Sequence, residues 1–316
     1  MRKESFQIKR LNIAREGSLA RGLGSHIDDL LLLGETARGF YRPFELHPKQ
    51  RPFAKKPSKK PRPIDNPTGK LKEVQERINR ILLGPVILPD HIFGAVRYRS
   101  IIGNAQCHQG AKLLVTLDVR QCFPSITNVH VYSVWSNILG CSPAVASLLT
   151  KLTTFNRHLP QGAPTSPILA NLFIWSVDGQ IRDACAELGV EYSTWIDDLA
   201  FSGDKARNLI QVVVGALKRS GLRLSHKKIR IMGHHESKLL TGTRFGSHFL
   251  RAPKDMCDRA RAGIHKLECG LIPISERSSY CRKLSALIAH IERLCPKDSV
   301  RLQRAFSARL SVQVQK

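Results

Sequence analysis

The sequence predicts a mixed α/β chain followed by a small, basic, helical region. Three observations carry that expectation. The apolar run KLLVTLDV (112–119) reads as a buried strand that stops at Asp118. Two short strand-like runs, VEYSTW (190–195) and LAFSG (199–203), are joined through Ile196-Asp197-Asp198. Around them lie segments with helical spacing of apolar residues.

Taken in order, residues 42–72 are rich in proline and carry ten Lys/Arg against two acids, so a continuous helix is excluded there. A basic loop-and-ribbon that grips phosphates is preferred to a solvated linker, because Arg62-Pro-Ile64-x-x-Pro67 reads as a strand edge and turn. Residues 71–84 form a helix with Leu71, Val74, Ile78, Ile81 and Leu82 on one face. Residues 167–188 form one long helix, and 209–222 another, stopped by Gly221. Beyond residue 245 the chain has 14 Lys/Arg against 6 Asp/Glu, and residues 278–295 have an amphipathic helical stripe from Tyr280 to Leu294.

The 316 residues carry 50 Lys+Arg against 25 Asp+Glu, a formal net charge of +25. Such a field attracts polyanions, so nucleic acid is the expected partner rather than a membrane. The opening MRKESFQIKR leads into no apolar run, and the greasiest stretch, ILLGPVILP (81–89), is too short to span a bilayer; a cytoplasmic location is expected. Eight cysteines without a C-x-x-C pair are expected to be free thiols, mainly in the core or half-buried.

Against that basic background three carboxylates stand out. Asp118 ends a buried strand, where an unpaired charge is costly. Asp197 and Asp198 sit side by side at a strand turn. Should the two elements be neighbours in one sheet, three carboxylates meet at one edge. Divalent cations, hard and oxygen-seeking, are the natural partners of such a cluster. Paired ions of this kind serve phosphoryl transfer. A lone Asp-Asp pair is otherwise an ordinary turn.

An ordered set of motifs then resembles the reverse transcriptases of the bacterial retron type. LVTLDVRQCFPSIT (114–127), LPQGAPTSPILANL (159–172), WIDDLAFSG (195–203) and GLRLSHKKIRI (221–231) are similar to polymerase motifs A to D. KPRPIDNPTGKLKEVQERINRIL is similar to the fingers motif that precedes them. NAQCH (104–108) and Leu240-Thr241-Gly242 resemble two segments that mark retron enzymes. Trp195 stands where the family usually has tyrosine, and Ser225 where asparagine is more usual.

The resemblance implies a right-hand polymerase: N-terminal helices and fingers over 1–111, a palm of antiparallel sheet and helices over 112–244, and a basic helical, RNA-binding thumb over 245–316. It implies Asp118, Asp197 and Asp198 as catalytic ligands of two Mg²⁺ ions, with Mn²⁺ as a substitute. It gives Phe123 the position of a gate against a 2′-hydroxyl. Gln161 and Gly162 would lie beside the incoming nucleotide, Arg62 and Lys60 would neutralise its triphosphate, and Lys228 would assist the departing pyrophosphate. Asn104, His108, Thr241 and Gly242 are family-marking residues with RNA or structural roles.

The implied activity is RNA-directed DNA synthesis on a structured noncoding RNA of the msr–msd type. It uses dNTPs, is primed from a guanosine 2′-hydroxyl, and serves antiphage defence beside an effector protein encoded nearby. The rival expectations are a defence reverse transcriptase with another template or priming mode, and a non-enzymatic nucleic-acid-binding scaffold.

Overall fold

The computed structural model describes residues 7–47, 61–247 and 249–311. Lys60 lies outside the described residues. The described residues divide into two compact units: 7–46, 63–100 and 112–231 form the first, and 47, 61–62, 101–111, 232–247 and 249–311 the second.

The first unit is built on helices packed around a small sheet. A two-stranded ribbon pairs β1 (Tyr41–Leu46) with β2 (Arg62–Pro67), so strand structure frames the Pro- and Lys-rich stretch. The central sheet has the order β4-β5-β3-β6, with β3 Leu114–Asp118, β4 Glu191–Trp195, β5 Asp198–Ser202 and β6 Arg230–Met232. β5 runs antiparallel to both neighbours.

Strand alternation sorts these residues by face. Val115, Leu117, Tyr192, Leu199 and Phe201 share one face and are all buried. Tyr192 and Phe201 stack there with ring centroids 4.9 Å apart. The other face carries Asp118, Asp198 and Trp195, with the smaller Thr116, Ala200 and Ser193 beside them.

The helix expected over 71–84 is α-helical over Gly69–Arg77 and widens to a π-helix over Ile78–Leu83. The extra residue per turn rotates Ile81 off the apolar face, and it is exposed while Ile78, Leu82 and Leu83 are buried. The single helix expected over 167–188 is two helices, Ser166–Val177 and Gly179–Leu188. They part at Asp178, whose buried carboxylate takes bonds from Arg182 Nε (2.7 Å), His91 Nε2 (3.1 Å) and the Tyr192 hydroxyl (3.3 Å). A charge so placed is tolerable only with such partners, and the chain turns to supply them. The helix Leu209–Arg219 ends just before Gly221, which has φ +77°.

Among the described residues the second unit has a three-stranded sheet, β7 (Lys238–Leu240), β8 (Thr243–Phe245) and β9 (Leu250–Arg251), and four α-helices, Ile101–Gln106, Lys254–Glu268, Ile274–Leu294 and Pro296–Ser311. Leu284, Ile288, Ile291 and Leu294, from the stripe read in the sequence, are buried in its apolar core with Ile264 and Phe306. All eight cysteines are free, and only Cys269 is exposed. No helix among the described residues is long and apolar enough to cross a membrane.

Candidate active site

The strand that ends in Asp118 and the strand that begins at Asp198 are direct neighbours. Asp118 pairs across the ladder with Asp198, and Asp198 with Trp195, so indole and two carboxylates form a row on one face of three strands. Directly opposed residues hold their Cβ atoms about 4.5–5.5 Å apart. Asp198 belongs to the strand rather than to the turn, which consists of Ile196 and Asp197 alone. Asp197 is tied to the same sheet edge, because its carbonyl accepts the Val119 N–H at 2.8 Å.

The turn is held under strain. Ile196 has φ +56°, a left-handed conformation that a β-branched residue rarely adopts. Such a conformation costs about 1–3 kcal/mol and persists where surrounding contacts over-determine it. Those contacts come from residues 91–94. Thr194 exchanges backbone bonds with them, its N–H to the His91 carbonyl (2.7 Å) and its carbonyl from Phe93 N–H (2.8 Å). A Cβ on Gly94 would stand 2.6 Å from the Ile196 nitrogen, so only glycine fits beneath the turn. Asn171, from the LPQGAPTSPILANL segment, fixes the Gly94 carbonyl at 2.7 Å. Sequence reading missed Gly94 and Asn171 as supports of the aspartates, since their partners lie far along the chain.

The electrostatics follow from burial and like charge. Asp198 is pushed up to about 6, first by burial, then by the Asp197 and Asp118 carboxylates, with Lys228 and Arg230 partly offsetting them. Burial, and then Asp197 and Asp118, also push the Cys122 thiol up. Lys228 Nζ donates to Asp118 Oδ2 at 2.6 Å, which puts the lysine on the carboxylate row itself.

Phe123 is half-buried in the short helix Cys122–Ser125, which follows a left-handed Gln121 at φ +47°. Gln161 and Gly162 dock against β2. The Gln161 carbonyl accepts Asp65 N–H at 2.8 Å, and the Asp65 carboxylate faces Gln161 N–H (3.4 Å) and His158 Nε2 (3.2 Å). Gly162 has φ +122°, and a Cβ there would meet Ile64 Cγ2 at 2.9 Å. Asp65, enclosed by prolines in RPIDNP, escaped sequence reading as the residue that receives this segment. Arg62 opens β2 and is exposed.

Asn104, His108, Thr241 and Gly242 gather in the second unit. Asn104 Nδ2 donates to Thr241 Oγ1 at 3.3 Å, joining the two family-marking segments directly. Thr241 and Gly242 are the two-residue turn between β7 and β8, with φ +45° and +81°, the pattern of a tight hairpin with both central residues left-handed. His108 is fully buried, and burial pulls its imidazole down to about 4, so it is neutral.

Among the described residues no three His, Cys, Asp or Glu side chains close into a ready-made metal cage. The donor set nevertheless fits a hard divalent cation. Asp118 and Asp198 offer carboxylate oxygens from adjacent strands, Asp197 is their neighbour, and burial, then the like charges, raises Asp198.

Residues 54–244, more than half of the chain, match the family model described as reverse transcriptase (RNA-dependent DNA polymerase). The Retron Ec86 reverse transcriptase of Escherichia coli is 30% identical over 272 residues, covering 84% of this chain and 83% of that protein. The Retron Se72 reverse transcriptase of Salmonella heidelberg is 31% identical over 180 residues, 55% of this chain and 48% of that protein. The Retron Mx65 reverse transcriptase of Myxococcus xanthus is 27% identical over 258 residues, 75% of this chain and 59% of that protein. Reverse transcriptases depend on divalent metal, use an RNA template and yield a DNA product. The chain belongs to the reverse transcriptases, as an α/β RNA-directed DNA polymerase of the retron type.

Proposed function

We propose that Asp118, Asp197 and Asp198 are the catalytic carboxylates and that the chain copies part of a structured noncoding RNA of the msr–msd type into single-stranded DNA. The observation that carries this reading is the cross-strand register that sets Asp118 opposite Asp198, with Asp197 beside them. The three would hold Mg²⁺, two ions with Mn²⁺ as a substitute, which supply charge neutralisation for attack of a 3′-end on a dNTP. The chain's own residues orient and discriminate. Phe123 closes the space a ribose 2′-hydroxyl would need. Gln161 and Gly162, fixed on β2, border the incoming nucleotide. Arg62 and Lys60 balance its triphosphate. Lys228 is poised to neutralise charge at the carboxylate row or on pyrophosphate.

In this reading residues before 112 supply the fingers, 112–244 the palm and 245–316 a basic thumb that reads RNA shape. Synthesis starts from a guanosine 2′-hydroxyl and leaves a branched RNA–DNA hybrid. The system serves antiphage defence in the cytoplasm with an effector protein encoded nearby. The retron relatives, and the contact of Asn104 with Thr241 that unites the two retron-marking segments, support this.

The test is to express the chain with its flanking genomic DNA, purify it, and sequence and digest the bound nucleic acid. DNA of discrete length, joined to RNA by a bond that a debranching enzyme cleaves and lost in Asp197→Asn, is the expected result. RNA with no DNA under any metal or dNTP condition would overturn the priming and template assignment.

A further inference from the structure

The buried cluster around Asp178 lies on the face of the sheet opposite the carboxylates, yet through His91 it leads back to the catalytic turn. Asp178 is 1% exposed and accepts from Arg182, His91 and Tyr192. Arg182 meets one carboxylate oxygen, and His91 and Tyr192 share the other. Burial, and then the Asp178 charge, push the Tyr192 hydroxyl well above its ordinary value, so it stays a donor.

His91 is held on two sides. Its ring stacks on Tyr192 with centroids 5.0 Å apart while its Nε2 meets Asp178. Its backbone carbonyl accepts Thr194 N–H, and the strip that it begins ends at Gly94, wedged under Ile196. The strip has only this short bridge to β4 and belongs to no regular helix or strand. Its position is therefore set by side-chain anchors.

We propose that Asp178 is a positioning residue for polymerisation: by fixing His91 it fixes the strip that clamps the strained Ile196–Asp197 turn and so aims the aspartates. This rests on the reading of Asp197 and Asp198 as the catalytic pair. Asp178 touches no substrate. It acts through His91, and its effect belongs to the rate of the chemical step rather than to nucleotide affinity.

The test is steady-state incorporation of dNTPs on a primed RNA template, with melting temperatures measured alongside. Asp178→Asn keeps one acceptor oxygen and puts an amide donor in place of the other, which changes the bond that holds His91 or Arg182. His91→Phe keeps the ring stack and loses the bond to Asp178, whereas His91→Gln restores a donor. Displacement of reacting groups by about 1 Å can cost about a hundredfold, so kcat should fall at least about tenfold in Asp178→Asn and His91→Phe with dNTP KM little changed. His91→Gln should recover most of that loss, while the two His91 variants melt alike.

A folded Asp178→Asn enzyme with wild-type kcat would overturn the proposal, as would His91→Gln falling as far as His91→Phe. If Asp178→Asn does not accumulate as folded protein, the His91 pair decides by the same comparison. Asp197→Asn in the same assay separates the two levels: full activity there would sink the assignment of the catalytic pair itself.

Discussion

Lys228 reaches the Asp118 carboxylate at 2.6 Å, although the lysine side chain is 62% exposed and the aspartate only 10%. The pair is therefore half in solvent, and screening limits its contribution to stability to about 0–1 kcal/mol. Its importance is electrostatic and local, since Lys228 is also one of two cations that restrain the rise of Asp198.

Lys228→Met should accordingly leave the melting temperature within about 4 °C, since 1 kcal/mol moves a unit of this size by roughly 2–4 °C. Incorporation should fall about a hundredfold, the scale of a lost proton-transfer or charge-stabilising group. A thermal melt and a single-nucleotide incorporation assay on the same preparation check both halves. Loss of stability together with unchanged turnover would make the lysine a structural counter-ion only.

Asp198 predicts a pH dependence with a definite sign. Its folded value of about 6 lies above the ordinary 3.8, so the native state binds this proton more tightly than the unfolded chain does. Its contribution to stability is then lost as pH rises from about 4 through about 6, and is regained on acidification. Asp198→Asn should raise the melting temperature of the metal-free protein above that window and flatten the slope within it, while activity collapses. Melts across pH 4 to 8 with chelator present decide it. A variant less stable than wild type at neutral pH would contradict the account by burial and like charge.

Phe123→Ala should admit ribonucleotides. Even a methylene-sized change in a substrate pocket is worth about 1–3 kcal/mol, so with Phe123 as the proposed gate, discrimination between dNTP and rNTP should narrow at least about tenfold. Comparing kcat/KM for matched dNTP and rNTP measures this directly. Because Phe123 also packs on the core, the informative quantity is the ratio, which a general loss of folded enzyme leaves unchanged.

Gly94→Ala should damage the Ile196–Asp197 turn from a distance. The added methyl would meet the Ile196 nitrogen at 2.6 Å and Cγ1 at 2.7 Å, and backbone cannot step aside as a flexible side chain can. Overpacking of this kind costs about 1–3 kcal/mol, and activity should fall further than that destabilisation explains. Folded, fully active Gly94→Ala would show that the turn tolerates displacement.

The parts of this molecule legible in its sequence are those set by short-range pattern. The apolar run ending in Asp118 and the paired runs around Asp197-Asp198 are strands, and the Leu284–Leu294 stripe is buried. What escaped was set by distant partners. Nothing local marks Asp178 as the end of a helix, because the His91 and Tyr192 groups that draw it inward are 87 and 14 residues away. Ile81 fits an apolar stripe by ordinary helical counting and is turned out by the π-helical register. Gly94 and Asp65 are ordinary loop residues until the turn and the Gln161 segment are placed against them.

The Asp118–Asp198 pairing also constrains how such a chain can diverge. Eighty residues separate the two positions in sequence, yet in space they are nearest neighbours on adjacent strands. An insertion in an exposed loop between them that leaves β4 and its turn intact does not change which residues face each other. A one-residue deletion inside β3 or β5 is different in kind: it inverts the parity of the strand and sends a carboxylate into the apolar core while an apolar side chain takes its place. Across the ten residues of β3 and β5, therefore, the admissible changes are substitutions and not changes of length.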